Sequence, residues 1–313
     1  MTSPAAEFFG LPVATWAFFV ACLSFAIAAF SLGWQILKHV LDGGRVRVYL
    51  NAAIINGGDS LATNDTGKWE MPYPFGNGPS RGNIEVAQLV VENPGRSSVT
   101  IHGPALAIYG TDKRKYSICP RMFAFDGNGS HVAVTDTLVR LDPYSRVTFL
   151  LDYWSVTSHV RGDVTGQSIK LRGFIRVAGR RRPAKSKWRL AWRIPVNAWT
   201  VRGISEIDPY TVMWRELYRS HWKRDEVADG PDVVSFREWE HALFQTVRKL
   251  HEMPSLDELT DALHDSLQGV AEVRFPVSLL ALNMHAALKT HEAHLAAWPP
   301  APPRTSTTVS TTP

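Results

Sequence analysis

Eleven cations and no carboxylate lie between Asp163 and Glu206: Lys170, Arg172, Arg176, Arg180, Arg181, Arg182, Lys185, Lys187, Arg189, Arg193 and Arg202. The net charge of +5 hides this asymmetry. A run of one sign suits an anion, whether a phosphate, a lipid head group or an acidic surface of the same chain. Strand alternation sharpens the pattern. Ile169, Leu171, Ile175 and Val177 fall on one side of a strand, and Lys170, Arg172 and Arg176 on the other. In the next segment Trp188, Leu190, Trp192 and Ile194 fall inward, leaving Lys185, Lys187, Arg189 and Arg193 outward. With "GRRRPAK" as the connecting turn, two neighbouring strands carry cations on one sheet face. Like charges side by side cost a sheet up to about 1 kcal/mol per pair, so an anion is expected over them.

Three anions are candidates. The first expectation is internal: from Glu206 to Glu272 there are fifteen acidic and seven basic residues, and this region can lie across the basic face. The second is an anionic leaflet, worth about 1 kcal/mol per Lys or Arg near its surface. The third is a phosphate-bearing ligand or nucleic acid. Nucleic acid is disfavoured, because alternation sends inward the Trp188 and Trp192 rings that would stack on bases.

Other motifs carry less. Gly78 to Gly82, "GPSRG", matches the hydrolase nucleophile elbow, but a Pro-rich loop precedes Ser80 and a strand follows, where the elbow needs a strand and then a helix. "DGNGS" from Asp126 opens like a calcium loop. It then places His131 where glycine is required and Thr137 where a bidentate Glu belongs, and so reads as a turn. "HEAH" at His291 to His294 lacks the two-residue spacing of a zinc helix; His285, His291 and His294 share a helical face that is ordinarily solvated. Asn64-Asp65-Thr66 and Asn128-Gly129-Ser130, glycosylation acceptors by pattern, are read as turns. No phosphate loop or metal-spaced cysteine pair occurs. No catalytic residue, metal ligand or cofactor is therefore assigned, and the expected role is binding. The rivals are a membrane-tethered effector or sensor that binds an anionic ligand, a nucleotide or a lipid head group, through the basic sheet face, and an enzyme with scattered catalytic groups.

These residues need elements to hold them. Leu11 to Leu37 has no formal charge, and roughly 27 helical residues reach about 40 Å, enough to cross a bilayer with some tilt. Trp16 and Trp34 lie near its two ends, as interfacial belts require. Lys38, Arg45 and Arg47 follow the span and no cation precedes it, so the positive-inside rule puts the N-terminus outside and the rest in the cytoplasm. An export signal would need a cationic start and a cleavage site. Cys22 lies within the span and Cys119 is alone outside it, consistent with a reducing compartment. The expectation is a single-pass inner-membrane protein. Its partners are the bilayer through residues 11–37, anionic lipid and an unidentified protein.

The chain divides into a short N-terminal segment (1–10), a transmembrane helix (11–37), a juxtamembrane linker (38–44), a β-sandwich (45–204), a helical region (205–298) and a disordered Pro/Thr/Ser tail (299–313). The fold class is α+β, with an antiparallel sandwich, immunoglobulin-like or related. Eight strand candidates are "RVRVYLNAAII", "IEVAQLVVEN", "SSVTIHG", "ALAIYG", "HVAVTDTLVRL", "RVTFLLDYW", "SIKLRGFIRVAG" and "SKWRLAWRI". Asn56 to Asn83 is expected to be a long loop pinned by Trp69, Tyr73 and Phe75. A turn at Asn93-Pro94-Gly95 followed by Val99 and Ile101, behind a span and a basic stretch, resembles a group of bacterial single-pass membrane-anchored β-sandwich proteins of uncharacterised activity. The resemblance covers the first third to half of the chain and implies architecture only.

After Ile204 the period becomes helical. Asp208 and Pro209 start a helix with Tyr210, Met213, Trp214, Leu217 and Tyr218 on one face. Phe236, Trp239, Leu243, Val247 and Leu250 form a second stripe. Ser255 and Glu258 form a capping box for a third helix, which stops at Gly269. A last helix is expected from Pro276 to Trp298, with an apolar part too short to cross a membrane.

Overall fold

The structure is a computed structural model and describes residues 7–8, 11–42, 44–56, 60–71, 83–111, 116–123, 136–201, 209–222, 233–250, 253–268, 276–297 and 299. Ser80, the Asp126 turn, Asp208 and the tail beyond 299 lie outside them.

A two-residue pair, β1 (Glu7–Phe8) with β2 (Leu11–Pro12), precedes α1 (Val13–Asp42). Within α1 the stretch Thr15–Lys38 is long and apolar enough to cross a membrane, and it is not buried against the rest of the chain. The helix runs five residues past Leu37, because Lys38, His39, Val40, Leu41 and Asp42 meet no helix breaker before Gly43. The strands follow as β3 (Arg47–Asn56), β4 (Ser60–Asn64), β5 (Asn83–Glu92), β6 (Val99–Tyr109), β7 (Tyr116–Ile118), β8 (Met122–Phe123), β9 (Leu138–Leu141), β10 (Arg146–Leu151), β11 (Ser168–Val177), β12 (Ala184–Lys185) and β13 (Trp192–Pro195). All their pairings are antiparallel. One sheet has the order β4-β3-β5-β10-β8; the other has β12-β11-β6-β7, with β13 also on β11 and β9 also on β6.

One core lies between the sheets. Val48, Leu50, Leu89, Val91 and Phe149 of the first meet Ile101, Leu106, Ile108, Ile169, Leu171, Ile175 and Trp192 of the second. Gly173 belongs to this core: a Cβ there would stand 2.4 Å from Leu89 Cδ1. The alternate residues of the first sheet, Ala53, Ile55, Ile84, Val86 and Leu150, form a second core with α3 (Pro209–Trp222), α4 (Val233–Lys249), α5 (Leu256–Leu267) and α6 (Val277–Ala297). That sheet is therefore covered on both faces, which is why "NAAII" and "TFLL" read as unbroken small or apolar runs rather than alternation. Within the helices, Tyr210, Met213, Trp214, Leu217 and Tyr218 are all buried, and the Ser255–Glu258 capping box is formed.

Several expectations are corrected. The segment Asn56 to Asn83 contains β4, paired to β3 from Ala52↔Asn64 to Asn56↔Ser60, so it is not structureless. "SSVTIHG" and "ALAIYG" are one strand, β6; Gly103, at φ +60°, takes up an irregularity that shifts the pairing with β11 between Phe174 and Arg176. "RVTFLLDYW" stops being a strand at Leu151, because the Asp152 carboxylate accepts from Ser155 N at 3.3 Å and caps α2 (Tyr153–Val160). "SKWRLAWRI" is not continuous either: a 3-10 turn at Trp188–Leu190 separates β12 from β13.

Candidate functional site

β11 supplies the cationic face, and its pairing decides which side chains stand together. Lys170 lies opposite Tyr109 of β6 and Arg193 of β13, Arg172 opposite Ala107, and Phe174 opposite Ala105 and Lys185. Ile169, Leu171, Ile175 and Val177 are buried between the sheets, while Arg176, Lys185, Lys187, Arg189 and Arg193 are exposed and Lys170 and Arg172 half-buried. Phe174, Ala105, Ala107 and Tyr109 form a small apolar patch among the cations. Lys185 Nζ lies 5.7 Å from the Tyr109 and Phe174 ring centres, and donates to Tyr109 Oη at 3.2 Å. The Arg172 guanidinium is 5.4 Å from the Trp188 ring centre, and its Nε donates to the Ser186 carbonyl at 2.7 Å.

Two expectations about this face fail. The acidic helices do not cover it: α3, α4, α5 and α6 pack on the other sheet, whose outer face is apolar and needs covering more than cations need neutralising. Among the described residues no carboxylate pairs with Lys170, Arg172, Arg176, Lys185, Lys187, Arg189 or Arg193. Trp188 does not point inward. The 3-10 turn breaks the alternation, so Trp188 is 53 % exposed while Trp192 and Ile194 stay inside.

The face continues to the end of the two-sheet unit that receives α1. Arg180 Nη2 donates to the Gly44 carbonyl, two residues beyond the last residue of α1, which brings the turn carrying Arg180, Arg181 and Arg182 to the helix exit. Asn93 organises the same end. Its Oδ1 accepts from Arg45 N at 3.2 Å and Gly95 N at 3.1 Å, and its Nδ2 donates to the carbonyls of Ser97, Leu141 and Asp142. The spacing Asn93-x-Gly95 is thus a buried clasp joining the linker after α1 to two further turns. Gly44 packs too closely on Val99 and Ser97 to admit a side chain without movement.

The opposite end holds a cluster that sequence reading missed. Glu85 of β5 is buried, and its carboxylate accepts from Trp154 Nε1 at 2.7 Å, Tyr153 Oη at 2.9 Å, Val201 N at 3.0 Å and Arg215 Nη2 at 3.1 Å. Three of these donors converge on Oε2 and the Arg215 guanidinium takes Oε1, so Glu85 is a junction between β5, α2 and α3. Burial and the neighbouring carboxylate hold the Tyr153 phenol well above its ordinary value. Arg219 grips Asp152, with Nε to Oδ2 at 2.8 Å and Nη2 to Oδ1 at 3.3 Å, and also reaches Glu216. The available signal was the polar Glu85 and Gln88 in "NIEVAQLV", where a strand covered on both faces tolerates only apolar or fully paired residues.

A cavity of about 310 Å³ opens beside this cluster, between α2, α3 and α6. Trp154, Trp199, Arg215, Asn283, Thr290 and His291 are in its wall. Trp199 meets His291 edge-on at 4.9 Å and His294 at 5.7 Å, and the Arg161 guanidinium lies 3.9 Å from the Trp199 ring centre. Burial and then the Arg215 charge lower His291 to about 4; burial and then Arg161 lower His294. His285 is placed apart from them, with its Nδ1 buried and unbonded. Among the described residues no three His, Cys, Asp or Glu side chains gather in metal-binding geometry.

Compared with models of known protein families and with curated protein sequences, the chain matches none.

Proposed function

We propose that this is a single-pass membrane-anchored binding protein, non-catalytic, in which a β-sandwich stands on the cytoplasmic leaflet with its cationic end against anionic head groups. The observation that supports this most is the Arg180 bond to the Gly44 carbonyl, which puts a three-arginine turn at the exit of the long apolar helix α1. Lys38 near the end of α1, Arg45 just after it, Arg47 and Arg146 at the first positions of β3 and β10, and Arg96 in the turn after β5 belong to the same end. Cations held near an anionic leaflet gain about 1 kcal/mol each, and the gain falls off within a Debye length of about 10 Å. Tethering keeps the turn within that distance, whereas an untethered sandwich would sample it only transiently.

The test is amide hydrogen exchange on the full chain in nanodiscs of phosphatidylcholine, with and without phosphatidylglycerol. Slower exchange in 178–183 and 93–98 only with the anionic lipid, lost when Arg180, Arg181 and Arg182 become Gln, supports the reading. Equal exchange in the two lipids removes it. A second reading assigns the lateral face to a phosphate-bearing ligand, because Trp188 is exposed beside Arg172 and Tyr109. Quenching of tryptophan fluorescence by a short oligonucleotide or a nucleoside diphosphate, relieved by Trp188→Ala, distinguishes it.

A further inference from the structure

We infer that Tyr144 is an interfacial anchor: its ring enters the head-group layer of the leaflet at which α1 ends. Among the described residues outside α1 it is the most exposed large apolar side chain, at 72 %. A single exposed apolar residue ordinarily needs no explanation. The backbone makes this one unusual. Tyr144 stands at φ +58°, in the left-handed region, where a bulky residue is an outlier. It is the third residue of the turn Asp142-Pro143-Tyr144-Ser145, closed by Ser145 N donating to the Asp142 carbonyl at 3.2 Å. Glycine or asparagine serves a left-handed third place better. The fold nevertheless pins tyrosine there: Tyr144 N donates to the Asn93 carbonyl at 2.8 Å, Asn93 N to the Ser145 carbonyl at 2.9 Å, and Ser145 Oγ to the Asp142 carbonyl at 2.6 Å. Turn geometry therefore does not select the ring, and strain that the surrounding bonds over-determine points to use.

What lies beside the ring identifies its partner. Asn93, which holds the Tyr144 turn, also accepts from Arg45 N through Oδ1, so the turn and the chain leaving α1 are bonded to the same residue. From Lys38, the end of the apolar stretch, the helix rises about 6 Å to Asp42, and the chain from there to Arg45 spans at most about 10 Å. The ring is thus tethered close to the interface that Trp34 and Lys38 mark. The neighbouring charges suit anionic head groups: Arg96, Arg146 and Arg180 to Arg182 share this end. Its two carboxylates sit among cations, Asp142 at 3.8 Å from Arg140 and Glu92 in register with Arg47 and Arg146. Tyrosine joins an apolar ring to a hydroxyl that stays wet, the chemistry of interfacial belts. The inference rests on the leaflet reading above and adds an apolar contact to its ionic ones.

The experiment places fluorotyrosine at position 144, and separately at Tyr109, in the full chain in phosphatidylcholine nanodiscs with and without phosphatidylglycerol. Tyr109 is the remote control, because β6 starts at the Tyr144 end, with Val99 opposite Leu141, and finishes at Tyr109. Fluorine relaxation is read with a lipid spin-labelled near the top of its chains, or with a gadolinium chelate in the water. Position 144 is expected to respond mainly to the lipid label and Tyr109 only to the chelate. Tyr144→Gly, which suits the left-handed backbone, should not lower the melting temperature in detergent. It should nevertheless reduce amide protection of 93–98 in the nanodisc about tenfold, the order expected for losing partial burial of one ring. Tyr144→Trp should keep that protection. Protection that merely follows the melting temperature, unchanged or raised in Tyr144→Gly, overturns the inference. A ring at 144 reached by the chelate and not by the lipid label also overturns it; the leaflet reading survives that result if phosphatidylglycerol still protects 178–183, and falls with it otherwise. Lipid contact at 144 without any effect of phosphatidylglycerol on 178–183 supports the anchor and removes the ionic contacts. A ring shielded from both agents lies against protein, which overturns the assignment.

Discussion

Glu85 shows what one buried carboxylate does when four donors from three segments converge on it. Replacing it by Ala leaves Arg215, whose side chain is 12 % exposed, as a buried cation without its partner. A loss of about 3 to 5 kcal/mol is expected in chemical denaturation, against a smaller loss for Gln, which still accepts hydrogen bonds. A loss below about 1 kcal/mol for Ala would mean that solvent already screens the pair. His291 gives a pH signature at the same end. Its folded value, about 4, lies below the ordinary 6.5, so the unfolded chain takes up the proton first. The stability this neutral imidazole contributes is complete above about pH 6.5 and is lost as pH falls toward 4. His291→Leu should therefore flatten the melting temperature between those limits; an unchanged acid slope would mean that other groups set it. Tyr153 acts in the opposite sense, its raised value making stability present below about pH 10 and lost above it.

At the level of elements, coverage decides which faces are free. The first sheet carries apolar side chains on both sides and takes the helices; β11 and its neighbours carry cations outward, and none of the described helices packs on that face. Replacing Arg172, Arg176, Lys187 and Arg189 together by Gln should therefore leave the melting temperature unchanged or raise it, by relieving like-charge repulsion, with no change in proteolytic release of the helical region. A marked fall would place an unrecognised carboxylate over the face. The cap of α5 is a separate, local case. Ser255→Ala removes the acceptor for Glu258 N at 3.2 Å and is expected to cost about 1 kcal/mol, measured by denaturant titration.

For the whole molecule, the two ends of the two-sheet unit have different characters. One receives α1 and carries the Asn93 clasp and the arginine turn; the other joins both sheets to the helical layer through Glu85, Asp152 and Arg219. The orientation proposed for α1 is checked by a C-terminal reporter active only in the cytoplasm, which should give signal. Its silence, with protease protection confined to the outer compartment, would reverse the assignment.

The sequence alone determined whatever depends on neighbours along the chain. The uncharged Leu11 to Leu37 run becomes a long apolar helix from Val13 onward, because composition and length need no tertiary partner. The buried stripe of Tyr210, Met213, Trp214, Leu217 and Tyr218 follows from helical period, the Ser255 cap from a contact three residues away, and the inward set of β11 from alternation. Tertiary structure decided what depends on distant pairing. Only packing could say that the acidic helices lie on the first sheet, since apolar burial outweighs screened attraction between exposed charges. Only the pairing of both β12 and β13 with β11 forces the intervening chain into the turn that exposes Trp188. The cavity was illegible for the same reason: Trp154, Trp199, Arg215 and His291 come from separate segments, and no spacing along the chain encodes their meeting.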